Sequence, residues 1–189
     1  DGVARSSAGA ESKPDWMPDS PETFVKALLP HAQRAANELG THPEVLIAQA
    51  ALETGWGKHM IRGSDGANSF NLFGIKADSR WEGEAVPVRT LEYHEGVAMK
   101  TRANFRAYAS YADSFNDYVA FVRDNPRYRD ALRKTDDPAA YFGALQEAGY
   151  ATDPHYARKI LEVLDSEPMR RASSAAASNV GVESDRLGG

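Results

Sequence analysis

Hydrophobic residues return at helical spacing along most of this chain and alternate with polar ones in one stretch near its middle. Phe24, Val25, Leu28, Leu29, Ala32, Ala35, Ala36 and Leu39 recur every three or four positions, which predicts a helix with one buried stripe. Ser20 supplies a capping hydroxyl, Pro21 suits the first helical position, and Gly40 can end the element. Pro30 removes one backbone hydrogen bond and predicts a kink. A second helix is predicted through VLIAQAALE, opened by the capping-box pair Thr41 and Glu44 and stopped by Gly55 and Gly57. Glu53 falls in its last turn, on the same side as Val45, Leu46, Gln49 and Leu52. The helix thus carries a carboxylate towards its own apolar face.

From Trp81 to Tyr93, and again from Ala98 to Tyr108, the period changes to alternation, with Glu95-Gly96 as the turn between. This predicts an antiparallel hairpin. In its first strand Val86, Val88, Thr90 and Glu92 share one face, while Arg89, Leu91 and Tyr93 share the other. Helical spacing resumes at Phe115, Tyr118, Val119 and Val122, and Asn125-Pro126 ends that segment. Asp137-Pro138 opens a helix through Tyr141, Leu145 and Ala148, with Gly149 as its stop. Asp153-Pro154 opens the last, carrying Tyr156, Ile160, Leu161 and Leu164. The pattern predicts an α+β fold, mainly α, with a helical lobe and a small hairpin lobe flanking a groove.

The segments outside this pattern differ in kind. Residues 1–18 are small, polar and broken by proline, and read as a flexible linker. Residues 169–189 are poor in large apolar groups and read as a flexible tail, leaving residues 19–168 as the folded domain. The opening DGVARSSAGAESKPDW has no apolar core of a secretory signal, and the chain reads as a piece cut from a longer one.

Composition narrows the chemistry. With 42% apolar and 26% charged residues, a chain of 189 residues can bury one real core as a soluble domain. The net charge of −5 and the lack of a Lys/Arg cluster argue against nucleic acid and anionic membrane as partners. No apolar run is long enough for membrane insertion. The chain has no cysteine, so thiolate catalysis and cysteine metal sites are excluded. His31, His42, His59, His94 and His155 are scattered without metal-ligand spacing, and no phosphate loop or G-x-S-x-G elbow occurs. No metal and no cofactor are expected.

Glu53 is the first catalytic candidate. A carboxylate set against Leu46, Leu52 and Trp56 would be desolvated, which raises its pKa and lets it keep a proton near neutral pH. Such a group can protonate a glycosidic oxygen. Spacing alone also allows a salt-bridged or solvent-facing glutamate at a helix end.

Four motifs add to this reading. Ala50-Ala51-Leu52-Glu53-Thr54-Gly55-Trp56-Gly57 resembles the ALE-S/T-GWG signature of glycoside hydrolase family seventy-three. Asn71-Leu72-Phe73-Gly74-Ile75-Lys76 is similar to that family's N-x-F-G-x-K segment, Phe105-Arg106-Ala107-Tyr108 to its F-R-x-Y, and Gly149-Tyr150-Ala151-Thr152-Asp153-Pro154 to its G-Y-A-T-D-P. They stand in the family's order and span residues 20 to 166. The resemblance implies a lysozyme-like fold and an endo-β-N-acetylglucosaminidase acting on peptidoglycan glycan strands, with Glu53 as general acid. It also implies Glu92 as the second carboxylate and Tyr150 as a cleft phenol. Asn71, Phe73 and Gly74 would line the sugar site, Trp81 and Tyr156 would stack on sugar faces, and Asp117 reads as structural.

The likeness extends to family members attached to a flagellar rod-scaffold domain. That implies flagellar rod partners, a periplasmic place of work and export through the flagellar secretion apparatus. Two readings stand beside it: a muramidase or lytic transglycosylase on the same scaffold, and a wall-binding rod-assembly module without turnover.

Overall fold

The computed structural model of the chain describes residues 20–175. The expected linker at 1–18 and the part of the expected tail at 176–189 lie outside the described residues.

Helix α1 (Pro21–Leu39) forms as the apolar stripe dictates: Phe24, Val25, Leu28, Ala32, Ala35, Ala36 and Leu39 are buried, and Leu29 is partly so. Ser20 Oγ accepts the Thr23 N–H at 3.1 Å, and Gly40 closes the helix at φ 77°. Pro30 sits on the exposed side, and the helix runs through it unbroken.

Helix α2 (Pro43–Thr54) is buried nearly all round, with Val45 through Ala51 and Thr54 out of solvent. It packs between α1 and α6 (Tyr156–Leu164). The expected capping box does not form. His42, not Thr41, is the N-cap and makes no side-chain bond, while the buried Thr41 hydroxyl has no partner. Pro43 occupies the first helical position, where no N–H needs a cap, so the helix starts without one. At its other end Gly55, Trp56 and Gly57 all take positive φ (56°, 59° and 83°), turning the chain sharply after Glu53.

Strands β1 (Ala85–His94) and β2 (Val97–Arg106) pair antiparallel from Ala85 opposite Arg106 to His94 opposite Val97. The two-residue turn Glu95-Gly96 has φ 50° and 79°, the left-handed pair that matches strand twist. Val86, Val88, Thr90 and Glu92 lie on the half-buried face, as the alternation predicts. The base of the hairpin is tied to the preceding loop by Arg106 N–H to Ile75 O (3.0 Å) and Ala77 N–H to Asn104 O (2.8 Å).

Helices α3 (Tyr111–Asp124), α4 (Arg129–Leu132), α5 (Pro138–Glu147) and α6 complete the helical lobe, with a 3₁₀ turn at Pro126–Tyr128. Ser110 and Asp137 cap α3 and α5 through their side chains. The chain does not loosen after residue 168. Residues 167–175 form a further helix, α7, whose Met169 and Ala172 are 2% and 1% exposed. Only two core-facing residues are needed to seat so short a helix, and its alanines favour helix intrinsically; scarcity of large apolar groups was a poor guide there. Among the described residues no helix is long and apolar enough to cross a membrane.

Candidate active site

A cavity of about 590 Å³ separates the helical lobe from the hairpin. Glu53 reaches it from the end of α2, Gly74 from the loop before the hairpin, Glu92 from β1, and Tyr150 from the turn between α5 and α6. A second pocket of about 300 Å³ adjoins it, sharing Glu53, Leu91, Ala151 and Thr152. Glu53 therefore lines both pockets.

Burial pushes the Glu53 carboxyl up to about 7, while a hydrogen bond from the Tyr156 hydroxyl pulls it down. The surroundings that desolvate it are not those expected from spacing. Trp56 turns away to meet Phe24 edge-on at 5.7 Å. Gly74, Tyr150 and Tyr156 close around the carboxyl instead. Gly74 is required twice over. Its φ is 65°, and a Cβ there would stand 2.7 Å from Glu53 Oε2.

Behind the carboxyl lies a buried polar chain. Gln49 Nε2 donates to Tyr156 Oη at 3.0 Å, and Gln49 Oε1 accepts from Tyr118 Oη at 2.6 Å. Tyr118 Oη is in turn 2.5 Å from Tyr141 Oη. Gln49, Tyr118 and Tyr141 are fully buried, and Tyr156 is 3% exposed.

Glu92 lines the same cavity, with its carboxylate in an ion pair with Lys76. Tyr150 is half-buried; its hydroxyl donates to Phe73 O at 2.6 Å, and its ring stacks on Tyr156 at 5.8 Å.

Several residues expected to meet sugar are buried or stand outside the lining of the main cavity. Asn71 is 1% exposed and spends its whole amide on backbone: Nδ2 donates to Ile75 O and Arg106 O, each at 2.9 Å, and Oδ1 accepts from Ile75 N. It shapes the loop that delivers Gly74. Phe73 is fully buried, stacked on Tyr118 at 4.2 Å and edge-on to Phe115. Tyr156 is 3% exposed; it lines the second pocket beside Glu53, and its hydroxyl bonds that carboxyl. Trp81 is not among the cavity-lining residues; it bonds Glu84 O and covers the Arg106 guanidinium at 4.8 Å.

Asp117 sits in an ion-pair and hydrogen-bond network at the hairpin base. Arg106 Nη1 reaches both of its oxygens (3.3 and 3.0 Å), Arg106 Nη2 reaches Asp78 at 3.4 Å, and Tyr108 Oη donates to Asp117 at 2.5 Å. The F-R-x-Y motif thus anchors the hairpin base to α3. Among the described residues no group of acidic or histidine side chains is arranged to hold a metal.

Sequence reasoning gave Gln49, Tyr118 and Tyr141 no role beyond helix periodicity. A signal existed for Gln49: an amide alone in an apolar run, one turn before Glu53. Nothing local marks the two tyrosines, because their partners lie far away in sequence.

Comparison with known proteins agrees with this geometry. Residues 29–167 match the glucosaminidase family model, described as mannosyl-glycoprotein endo-beta-N-acetylglucosaminidase. The chain is 50% identical over 145 residues to the peptidoglycan hydrolase FlgJ of Vibrio parahaemolyticus, covering 77% of this chain and 47% of that protein. It spans about half the length of the curated relatives it matches. A peptidoglycan hydrolase mutant from Sphingomonas sp. A1 superposes with a TM-score of 0.77 at 47% identity, covering 82% of this chain and 99% of that one. A C-terminally truncated glycoside hydrolase domain of Salmonella typhimurium FlgJ does so with a TM-score of 0.61 at 41% identity, covering 77% and 95%. With the four motifs, the two-lobed fold and this match over most of its length, the chain belongs to the glucosaminidase family, glycoside hydrolase family seventy-three.

Proposed function

We propose that this chain is the hydrolytic module of a peptidoglycan hydrolase and cuts inside glycan strands after N-acetylglucosamine. One observation carries the reading: a carboxyl raised to about 7 lines both of two adjoining pockets beside the hairpin. A strand threaded through both pockets would pass Glu53, as internal cleavage requires. Glu53 gives its proton to the glycosidic oxygen, and the carbon–oxygen bond breaks as positive charge develops on the sugar. Glu92, across the cleft, stabilises that charge or takes a proton from the attacking water, whose hydroxyl completes the new reducing end. Tyr150 forms part of the cleft wall and holds the Phe73–Gly74 backbone against Glu53.

The likeness to FlgJ supports a flagellar setting, with work in the periplasm beside the rod, rod proteins as neighbours and export through the flagellar apparatus. A second reading has its own support. Glu92 is engaged by Lys76, as in an enzyme that relies on one glutamate, namely a muramidase or lytic transglycosylase.

Zymography and product analysis separate these readings. Native protein clears peptidoglycan and leaves reducing N-acetylglucosamine ends, and Glu53→Gln clears none. Anhydro-muramic ends select the second reading, and clearing undiminished in the mutant defeats both. Absence of clearing by the native protein leaves only a wall-binding module.

A further inference from the structure

We propose that the buried chain Tyr141–Tyr118–Gln49–Tyr156 is a positioning relay that orients Glu53 and sets its acidity from behind the cleft. This rests on Glu53 being the acid of the proposed reaction.

The direction of each hydrogen bond follows from counting protons. Tyr118 has one hydroxyl proton, and Gln49 Oε1 takes it at 2.6 Å. The 2.5 Å bond between Tyr141 and Tyr118 must then be donated by Tyr141. Gln49, having accepted at Oε1, donates from Nε2 to Tyr156 Oη at 3.0 Å. Tyr156, whose oxygen accepts from Gln49, lines the adjoining pocket together with Glu53 and has its own proton left to offer that carboxyl. Every donor in the chain points the same way. Each bond polarises the next, so the last one favours a negative Glu53 more than an isolated phenol would.

The purpose is balance. Desolvation alone would hold the Glu53 carboxyl higher still. The relay opposes that without admitting water or a cation. Other groups facing the carboxyl do not supply this. Tyr150 directs its proton to Phe73 O, Glu92 and Lys76 neutralise each other across the cleft, and Asp153 and Lys159 do the same in the adjoining pocket. The relay spans α2, α3, α5 and α6, so it also fixes the Glu53 end of α2 against the rest of the helical lobe.

The test compares wild type with Tyr156→Phe, Tyr118→Phe and Tyr141→Phe, each lacking one oxygen. Two readouts are used: the alkaline limb of the rate of peptidoglycan clearing, and the titration of the Glu53 carboxyl carbon by NMR. Removing the last donor leaves the charged form less stabilised, so the Glu53 pKa rises. The limb and the titration should both move up by about 0.5 to 1 pH unit in Tyr156→Phe. They should move the same way, by less, in Tyr118→Phe and least in Tyr141→Phe. Tyr141→Phe strips only the end of the chain and provides a folded variant should either of the others not fold. A Glu53 titration unchanged in the folded variants, with only the rate or stability lowered, overturns the relay. Because NMR reads the carboxyl without turnover, that outcome is distinct from Glu53 not being the acid, which Glu53→Gln reports.

Discussion

Glu53 comes from a helix buried on nearly every side, whereas Glu92 comes from a two-stranded ribbon whose Leu91, Val97 and Met99 are 55%, 62% and 53% exposed. The first carboxyl is backed by four side chains bonded in series. The second is held by one exposed lysine. A lone two-stranded hairpin is marginally stable in water. This one depends on its tied base and on a latch near its tip, where Tyr93 N–H donates to Thr152 Oγ1 at 2.9 Å and the Tyr93 ring faces Lys159. The difference matches the roles proposed for the two carboxyls. A proton donor must be held in place and dry before substrate arrives, so the fold gives it the rigid lobe. A group on the opposite wall of a groove for a polymer can sit on an element that gives way.

The largest effect should come from the rigid side. Glu53→Gln is expected to lower clearing of peptidoglycan by about a hundredfold or more with far-ultraviolet circular dichroism unchanged. The same variant reports the strain of burying the acid. The folded pKa of about 7 lies above the ordinary value of 4.5, so the folded protein holds a proton that the unfolded chain has lost between those values. Wild-type stability therefore falls, relative to Glu53→Gln, as pH rises from 4.5 to 7, and the gap then stays constant. Urea titrations should show no gap below pH 4.5 and a gain for the mutant of about 3 kcal/mol above pH 7. A mutant less stable than wild type above pH 7 would contradict the desolvated carboxyl.

Gly74→Ala should follow. Its Cβ cannot coexist with Glu53 where it stands, and the acid shifts; clearing should drop by about tenfold to a hundredfold. Glu92→Gln tests the hairpin side and should cost about tenfold, measured on the same substrate. Were its loss to equal that of Glu53→Gln, the hairpin carboxylate would be as firmly used as the helical one. Thr152→Val, which removes the latch but touches neither carboxylate, should change the rate by only about twofold and raise amide exchange across Ala85–Arg106. An unaltered exchange pattern would mean the hairpin is held by its base alone.

Much of the molecule was legible in the chain itself because it depends on neighbours. The α1 stripe, the Ser20, Pro21 and Gly40 signals, the Glu95-Gly96 turn and the place of Glu53 in a last turn are all short-range consequences of spacing and backbone sterics. Local signals also misled where packing overrode them. Thr41 had a capping hydroxyl with nothing to cap, and residues 167–175 found a seat on the core that their composition did not announce.

Motif residues divided into two kinds that sequence could not separate. Asn71, Phe73 and Arg106 build the walls, whereas Gly74, Glu92 and Tyr150 line the space. A motif records that a residue matters, but burial decides whether it faces solvent. Only tertiary structure brought Tyr118, Tyr141 and Tyr156 into series behind Glu53, since hydrogen bonds bridging 69 and 107 positions have no local signature. The amino-acid order determined which helix would carry the acid. The folded lobe decided how acidic it would be, because desolvation and the direction of a buried hydrogen bond exist only after distant segments meet.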